Sequence, residues 1–399
     1  MKKQIYTALA IAFSFMVQGC SEDATSADNT AKSSTSTVLI SNASKANADT
    51  ASNNDSNLPD YSRAIAVNKM LGHGINFGNS WESGVDITQE SFDPDKVYDY
   101  LDEAWSNHID DSWFQKAKDA GFQSIRLPVR WNQTALHEPP YTLQAERVEG
   151  VKHHIAIANG LGMPVIINQH HFNELYKDPE KYMPAFYGIW ENIANEFKDY
   201  DNDSLVFEIL NESRDASDKY LAQMVDSAIK IIRKTNPGRT IMIDPGNFGK
   251  FELMGAFKDI KDSNIIIDGH YYEPYGYSHQ GHNSKCSNGI LWDPNDREAL
   301  TKIISDLKSY VTMAKNLFPG KNGTYVPLNM GEFGASSRCE NFGQDDENRS
   351  YYIRAIVQAA NQLGYSWHIW GFTGVGFDIY DKSTDEWYPN ILKALQENF

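Results

Sequence analysis

The chain has 399 residues and a formal net charge of -17 at pH 7, with 53 acidic residues against 36 Lys and Arg. That surplus excludes nucleic acid and anionic polymers as partners, because a phosphate or uronate chain would be repelled. Twelve per cent of the residues are aromatic, including nine Trp, enough to stack on carbohydrate rings although a core also uses them, and the three cysteines show no paired zinc-binding spacing.

From the amino end, Lys2 and Lys3 precede an apolar run from Ile5 to Val17 that closes at "VQGC". A basic start, a short apolar run and a small residue before a cut describe a signal peptide over residues 1–19. The run is too short for a membrane-spanning helix of about 20 residues. Cys20, directly after Gly19, resembles the lipidated cysteine of bacterial lipoproteins. The expectation is an exported chain anchored by lipid at Cys20 to the bacterial outer membrane or cell surface, with plain secretion as the alternative. Residues 20–58 are mostly Ser, Thr, Asn, Ala and Asp and cannot bury enough surface to offset ordering, so a disordered tether is expected there.

Residues 59–399 suffice for one large domain. Eight short β-branched runs follow: "GINFGN" from Gly74, "FQSIRLPV" from Phe122, "PVIINQHH" from Pro164, "LVFEILNE" from Leu205, "TIMIDPG" from Thr240, "NIIIDGHYY" from Asn264, "VPLNMGEFG" from Val326 and "YSWHIWGF" from Tyr365. Helical patterns separate them over 111–120, 143–161, 183–199, 217–235, 297–317 and 348–363, with one more over 390–396. Eight strand–helix units in this order predict an α/β fold, the (β/α)8 or TIM barrel.

Polar residues collect where these runs end. Asn79 and Glu82 follow the first, Arg126 lies in the second, His170 and His171 end the third, and Asn211 and Glu212 end the fourth. His270 and Tyr272 end the sixth, Glu332 the seventh and Trp370 the eighth. In this fold the C-terminal strand ends surround one pocket, so these residues should converge. Two carboxylates on opposite strands suit glycoside hydrolysis, one as nucleophile and the other as acid and then base. Arg126 and Tyr272 are expected to hold Glu332 anionic. Glu212 is expected to have a raised pKa, lifted in part by the charge of Glu332. Asn211 offers an amide to a sugar 2-hydroxyl.

The stretches "IRLPVRW", "IINQHH", "FEILNES", "GHYYEPY", "NMGEFG" and "WHIWGF", in this order, resemble glycoside hydrolase family 5, the endoglucanase and mannanase family, from about Gly72 to the carboxyl end. The resemblance implies Glu212 as acid/base and Glu332 as nucleophile, with Arg126, His170, Asn211, His270, Tyr272 and Trp370 in the family's other invariant places. "GINFGNSWE" and "YYEPYGYSHQG" look like the bacterial β-1,4-endoglucanase branch, some of whose members also cut mannan, where Asn79, Glu82, His171 and His279 would touch sugar. Trp370 would be a stacking platform under a pyranose ring. One departure is Ser213, where the family usually has Pro, which removes a stiffening element from the strand exit.

Blander readings stay beside these. His170 and His171 could be a metal pair or core residues, but strand neighbours point to opposite faces and rarely share one metal. Trp370 could be barrel core and Arg126 a surface residue. No phosphate-binding loop or serine-hydrolase elbow is present. The expected protein is a monomeric, retaining endo-β-1,4-glucanase acting on polysaccharide or oligosaccharide, without cofactor or metal. A β-mannanase or a mixed-linkage or xyloglucan-active glucanase is the alternative, and a non-catalytic surface glycan-binding lipoprotein the distant one. Cys286 and Cys339 lie in loops after successive strands, which are neighbours in the barrel, so a disulfide is expected, with two free thiols as the alternative.

Overall fold

All eight apolar runs become strands. The structure is a computed structural model, and it describes residues 55–399 except 283, 287 and 288. In order the strands are β1 (His73–Asn76), β2 (Ser124–Leu127), β3 (Val165–Asn168), β4 (Leu205–Glu208), β5 (Ile241–Ile243), β6 (Ile265–His270), β7 (Leu328–Glu332) and β8 (Ser366–Ile369). Each pairs in parallel with its sequence neighbour, and β8 closes onto β1. Strands β2 to β8 are buried throughout, as a parallel sheet covered on both faces requires.

The expected helices are present as Ser112–Ala120, Ala145–Gly160, Pro179–Glu196, Leu221–Arg233, Arg297–Leu317, Asp346–Leu363 and Pro389–Gln396. Three of their starts are fixed by capping chemistry: Asp178 accepts from the amide of Lys181, Asp296 from those of Glu298 and Ala299, and Asp345 from that of Asn348. Gly364, at φ 81°, turns the chain from the sixth of these helices into β8, a conformation that a Cβ would oppose.

A helix that the sequence reading did not name precedes β1. Ser62–Leu71 lays Ala64, Val67 and Leu71 against Ile166, Val206, Met242 and Ile266, which fill the barrel interior. Its Asn68 donates from Nδ2 to the carbonyl of Leu328 and accepts from the hydroxyl of Ser366, so it closes the end where β7 and β8 begin. The proposed signal peptide and Cys20 lie outside the described residues, as does most of the tether. Residues 55–57, at its end, form a 3-10 turn.

The opposite end is open and polar. The strand register sets Asn76 beside Arg126, Asn168 beside Glu208, and His270 beside Glu332, the last after a bulge between Gly269 and His270. Long connections rise from this rim, above all residues 77–111 after β1 and 271–296 after β6.

Candidate active site

Arg126, fully buried at the end of β2, organises the rim. Its Nε and Nη2 make a two-pronged pair with Glu208 at 2.7 and 2.6 Å. Its Nη1 donates to Asn76 Oδ1 at 2.9 Å and Glu332 Oε1 at 2.7 Å, and its Nη2 also reaches Asn211 Oδ1 at 2.6 Å. A planar guanidinium suits this fork geometry, which a lysine could not reproduce. Arg126 therefore does hold Glu332, but Glu208 takes two of its hydrogen bonds. The sequence reading did not single out Asn76 or Glu208 as site residues. Glu208 carried a usable signal, because a carboxylate inside an apolar strand must find a cation or a proton.

Glu332 is buried to 5% exposure and also accepts from the hydroxyl of Tyr272 at 3.1 Å. Its partner comes from an irregular strand exit. After β4 the chain stays against its neighbours through Ile209 and Asn211, and then Glu212 turns into the left-handed region at φ 46°. For a residue of this size that conformation costs on the order of 1–3 kcal/mol and is retained only where the surroundings enforce it. They do so here. Ser213, where the family pattern has proline, is fully buried and donates to Asp218 Oδ1 at 2.8 Å, while its carbonyl accepts from the amide of Phe248.

His270 joins the two acids. Its Nδ1 lies 2.9 Å from Glu212 Oε1 and 3.6 Å from Glu332 Oε2. One atom from each of the three groups falls within 4.8 Å of the others. Such closeness matches retaining glycosidases, whose carboxyl groups stand about 5–5.5 Å apart, rather than the about 6.5–9.5 Å of inverting ones.

The charges correct one expectation. Burial pulls His270 down, but Glu332 and Glu212 outweigh it and push its pKa up to about 10. Burial raises Glu212, yet the hydrogen bond and charge of His270 hold it below the ordinary carboxylate value. Burial lifts Glu332 above that value, only partly countered by His270 and Arg126. In the free site His270 therefore competes with Glu212 for the proton between them. The reason is contact: His270 sits hydrogen-bonded on Glu212.

Around this centre His170 is buried, neutral through burial and the nearby His171, and parallel to Trp370 at 5.8 Å. Trp370 lies over Gly78, where a Cβ would come within 2.4 Å of its ring. His171 faces the exposed Trp105 at 6.0 Å, and His279 stacks on Tyr275 at 4.1 Å while touching Tyr272. Asn211 has its oxygen bound by Arg126, which leaves its NH2 as the group available to a hydroxyl. Asn79 is half-buried, at φ 59°, and spends its Nδ2 on the carbonyl of Gly374. Glu82 is a correction: it is fully buried, and its carboxylate accepts from the amides of Asn79 and Ser80, so it fixes the turn instead of meeting sugar. Cys286 and Cys339 form a disulfide with Cα atoms 5.4 Å apart, linking the loops after β6 and β7.

His170 and His171 meet edge to face at 4.6 Å. Glu212, His270 and Glu332 are close enough to share a cation, but Arg126 and the imidazole already answer both carboxylates.

Two facing glutamates, one clamped by arginine and tyrosine, at the C-terminal mouth of a (β/α)8 barrel define a glycoside hydrolase of the two-carboxylate type. The chain belongs to the cellulase family, glycosyl hydrolase family 5, whose model matches residues 85–375. Among its relatives, endoglucanase H of Acetivibrio thermocellus is 26% identical over 333 residues, covering 82% of this chain and 33% of that protein. The chain thus spans about a third of that relative's length. A hyperthermophilic endo-β-1,4-glucanase solved in complex with substrate is 32% identical, with a TM-score of 0.72, covering 84% of this chain and 99% of the other. Cel5A of Thermotoga maritima, solved with mannotriose, is 28% identical with a TM-score of 0.72, covering 83% of this chain and 99% of the other.

Proposed function

We propose that the protein is a retaining endo-β-1,4-glucanase that cuts internal bonds of cellulose or related β-glucans. The observation that carries this reading is the Glu212–Glu332 pair, within 4.8 Å and bridged by His270. Glu332 attacks the anomeric carbon as Glu212 protonates the departing oxygen, giving a glycosyl ester. Glu212 then takes a proton from water, and the resulting attack releases the sugar with its original configuration. Arg126 and Tyr272 steady the charge on Glu332, and the Asn211 NH2 is offered to the 2-hydroxyl. Both carboxylates are present, which disfavours a binding-only role.

A second reading, action on β-mannan, mixed-linkage glucan or xyloglucan, draws support from Cel5A of Thermotoga maritima, solved with both mannotriose and cellobiose. Reducing-sugar release from carboxymethylcellulose, β-glucan, xyloglucan and mannan, measured side by side, tests the choice. The first product seen by proton NMR should be the β-anomer, and an α-anomer would refute the role of Glu332.

Export and lipid anchoring at Cys20 complete the reading, supported by "VQGC" and by a disulfide suited to an oxidising compartment. The wild-type protein is expected to partition with membranes and a Cys20→Ser variant to lose that partitioning. A wild-type protein found wholly soluble, with another N-terminal residue, contradicts it.

A further inference from the structure

At the exit from β4 the carbonyls of Asn211 and Glu212 are held by side chains. The Tyr176 hydroxyl donates to that of Asn211 at 2.7 Å, and Arg214 Nη1 donates to that of Glu212 at 3.0 Å. Tyr176 lies in the short helix Asn173–Lys177, and Arg214 Nη2 donates to Asn173 Oδ1, at the start of that helix, at 3.1 Å. The Arg214 guanidinium also lies over the Tyr176 ring, 4.2 Å from its centre, with the ring of Phe248 5.2 Å away. Its own backbone is fixed as well, because the buried Ser217 donates from its hydroxyl to the Arg214 carbonyl at 2.7 Å. Arg214 is half-buried, and the reaction steps assigned to Glu212 and Glu332 do not call on it.

The need for such a clamp lies in the backbone. Glu212 and Asp215 are both left-handed, at φ 46° and 56°, and so are Asn247 and Phe248 after β5, at 52° and 66°. Residues with a Cβ resist that conformation, and it persists only where their surroundings impose it. The two loops hold each other. The Phe248 amide donates to the Ser213 carbonyl at 3.1 Å, and the Asn247 amide to Asp218 Oδ2 at 2.8 Å. Ser213 brings no fixed φ of its own, as a proline would. Arg214 ties the Glu212 carbonyl to the helix at 173–177 and sets a full positive charge beside the acid. A planar cation with several donors, able to stack on aromatic rings, suits both tasks, whereas a lysine would supply only the charge.

We propose that Arg214 is a positioning residue for the acid/base, clamping Glu212 in its left-handed turn and setting a positive charge beside it. The inference rests on Glu212 being the acid. Without the clamp the peptide relaxes toward an ordinary conformation, and the carboxyl group leaves the place where it meets the glycosidic oxygen. Charged and titratable groups face Glu212 from every side. They are Arg126 from β2, Tyr176 from the helix after β3, Asp244 from β5, His270 from β6, Tyr272 and His279 from the connection after β6, and Glu332 from β7. Arg214 adds a cation to this set. A nearby cation favours the ionised carboxylate and disfavours a proton on either member of the Glu212–His270 pair. Removing it therefore moves the titration of the pair upward.

Arg214→Met and Arg214→Lys variants test this through kcat/KM, which reports only the steps up to the glycosyl ester. On an unactivated cello-oligosaccharide both should lose about tenfold, less than the roughly 10²–10⁴ that a whole acid supplies. On 2,4-dinitrophenyl cellobioside, whose leaving group needs no acid, the loss should stay within about twofold. The alkaline limb should move up by about half a pH unit in Arg214→Met, roughly a threefold change in proton occupancy, and stay in place in Arg214→Lys. A methionine variant with the wild-type rate on cello-oligosaccharide, equal losses on both substrates, or an unmoved limb overturns the proposal. So does a crystal structure of Arg214→Met in which Glu212 keeps its left-handed turn and its contact with His270. A Glu212→Ala variant that fails to separate the two substrates would instead overturn the acid assignment, and the crystal structure stands apart from that outcome.

Discussion

Glu208 and Glu212 lie four residues apart and serve different ends. Glu208, still in the strand, locks Arg126, while Glu212, past it and left-handed, reaches His270. The convergence of Glu212, Glu332, His270 and Tyr272 was legible because each stands where an apolar run ends, and that of Arg126 because it lies within the second run. Glu208, Asp244 and Asp268 were not brought forward, although Glu208 and Asp268 stand within apolar runs and Asp244 ends one, because their partners come from strands distant in sequence. Glu82 was misjudged because a buried carboxylate bound to its own turn looks, in sequence, like one offered to a ligand. The division of labour gives a sharp expectation. Glu332→Ala should abolish turnover on every substrate, since no ester can form. Glu212→Ala should lose about 10²–10⁴-fold on cello-oligosaccharides but far less on aryl glycosides with good leaving groups. Steady-state rates on both substrate types check it, and parallel losses would refute the assignment.

At the scale of elements, the strands and seven helices follow from hydrophobic period, and three helix starts follow from aspartate caps. The helix Ser62–Leu71 went unnamed because its apolar stripe of Ala64, Val67 and Leu71 is short and lies next to a polar tract. Its burial depends on a barrel floor that only tertiary structure supplies. The Cys286–Cys339 bridge was legible for the opposite reason, since barrel order alone makes the loops after β6 and β7 neighbours. It closes a sequence separation of 53 residues, for which the loop-entropy model gives about 4 kcal/mol as an upper value. Cys286→Ser, or reductant, should therefore lower the melting temperature by an amount within that limit. Free thiols at both Cys286 and Cys339 in the unreduced, denatured protein would show that no bridge forms.

For the whole molecule, a formal charge of -17 counts every acid as ionised, and the structure shows where this count fails. Asp268, at about 8, and His270, at about 10, both carry protons in the fold at pH 7. Their unfolded values are about 4 and about 6.5, so above neutrality unfolding releases protons. The stability that these raised groups contribute is present at lower pH and is lost as pH rises, through about 8 for Asp268 and about 10 for His270. The melting temperature should decline steadily from pH 7 to 9, helped by growing self-repulsion. Calorimetric scans across this window check it, and a rising melting temperature would contradict it. Sequence composition alone hides this, because burial decides which acids keep their protons.

The floor helix has a consequence for orientation. Residues 62–71 close the pole where β7 and β8 begin, whereas Glu212 and Glu332 open at the other pole. The described chain therefore enters the barrel from the pole opposite the two glutamates, and its first turn keeps clear of the mouth.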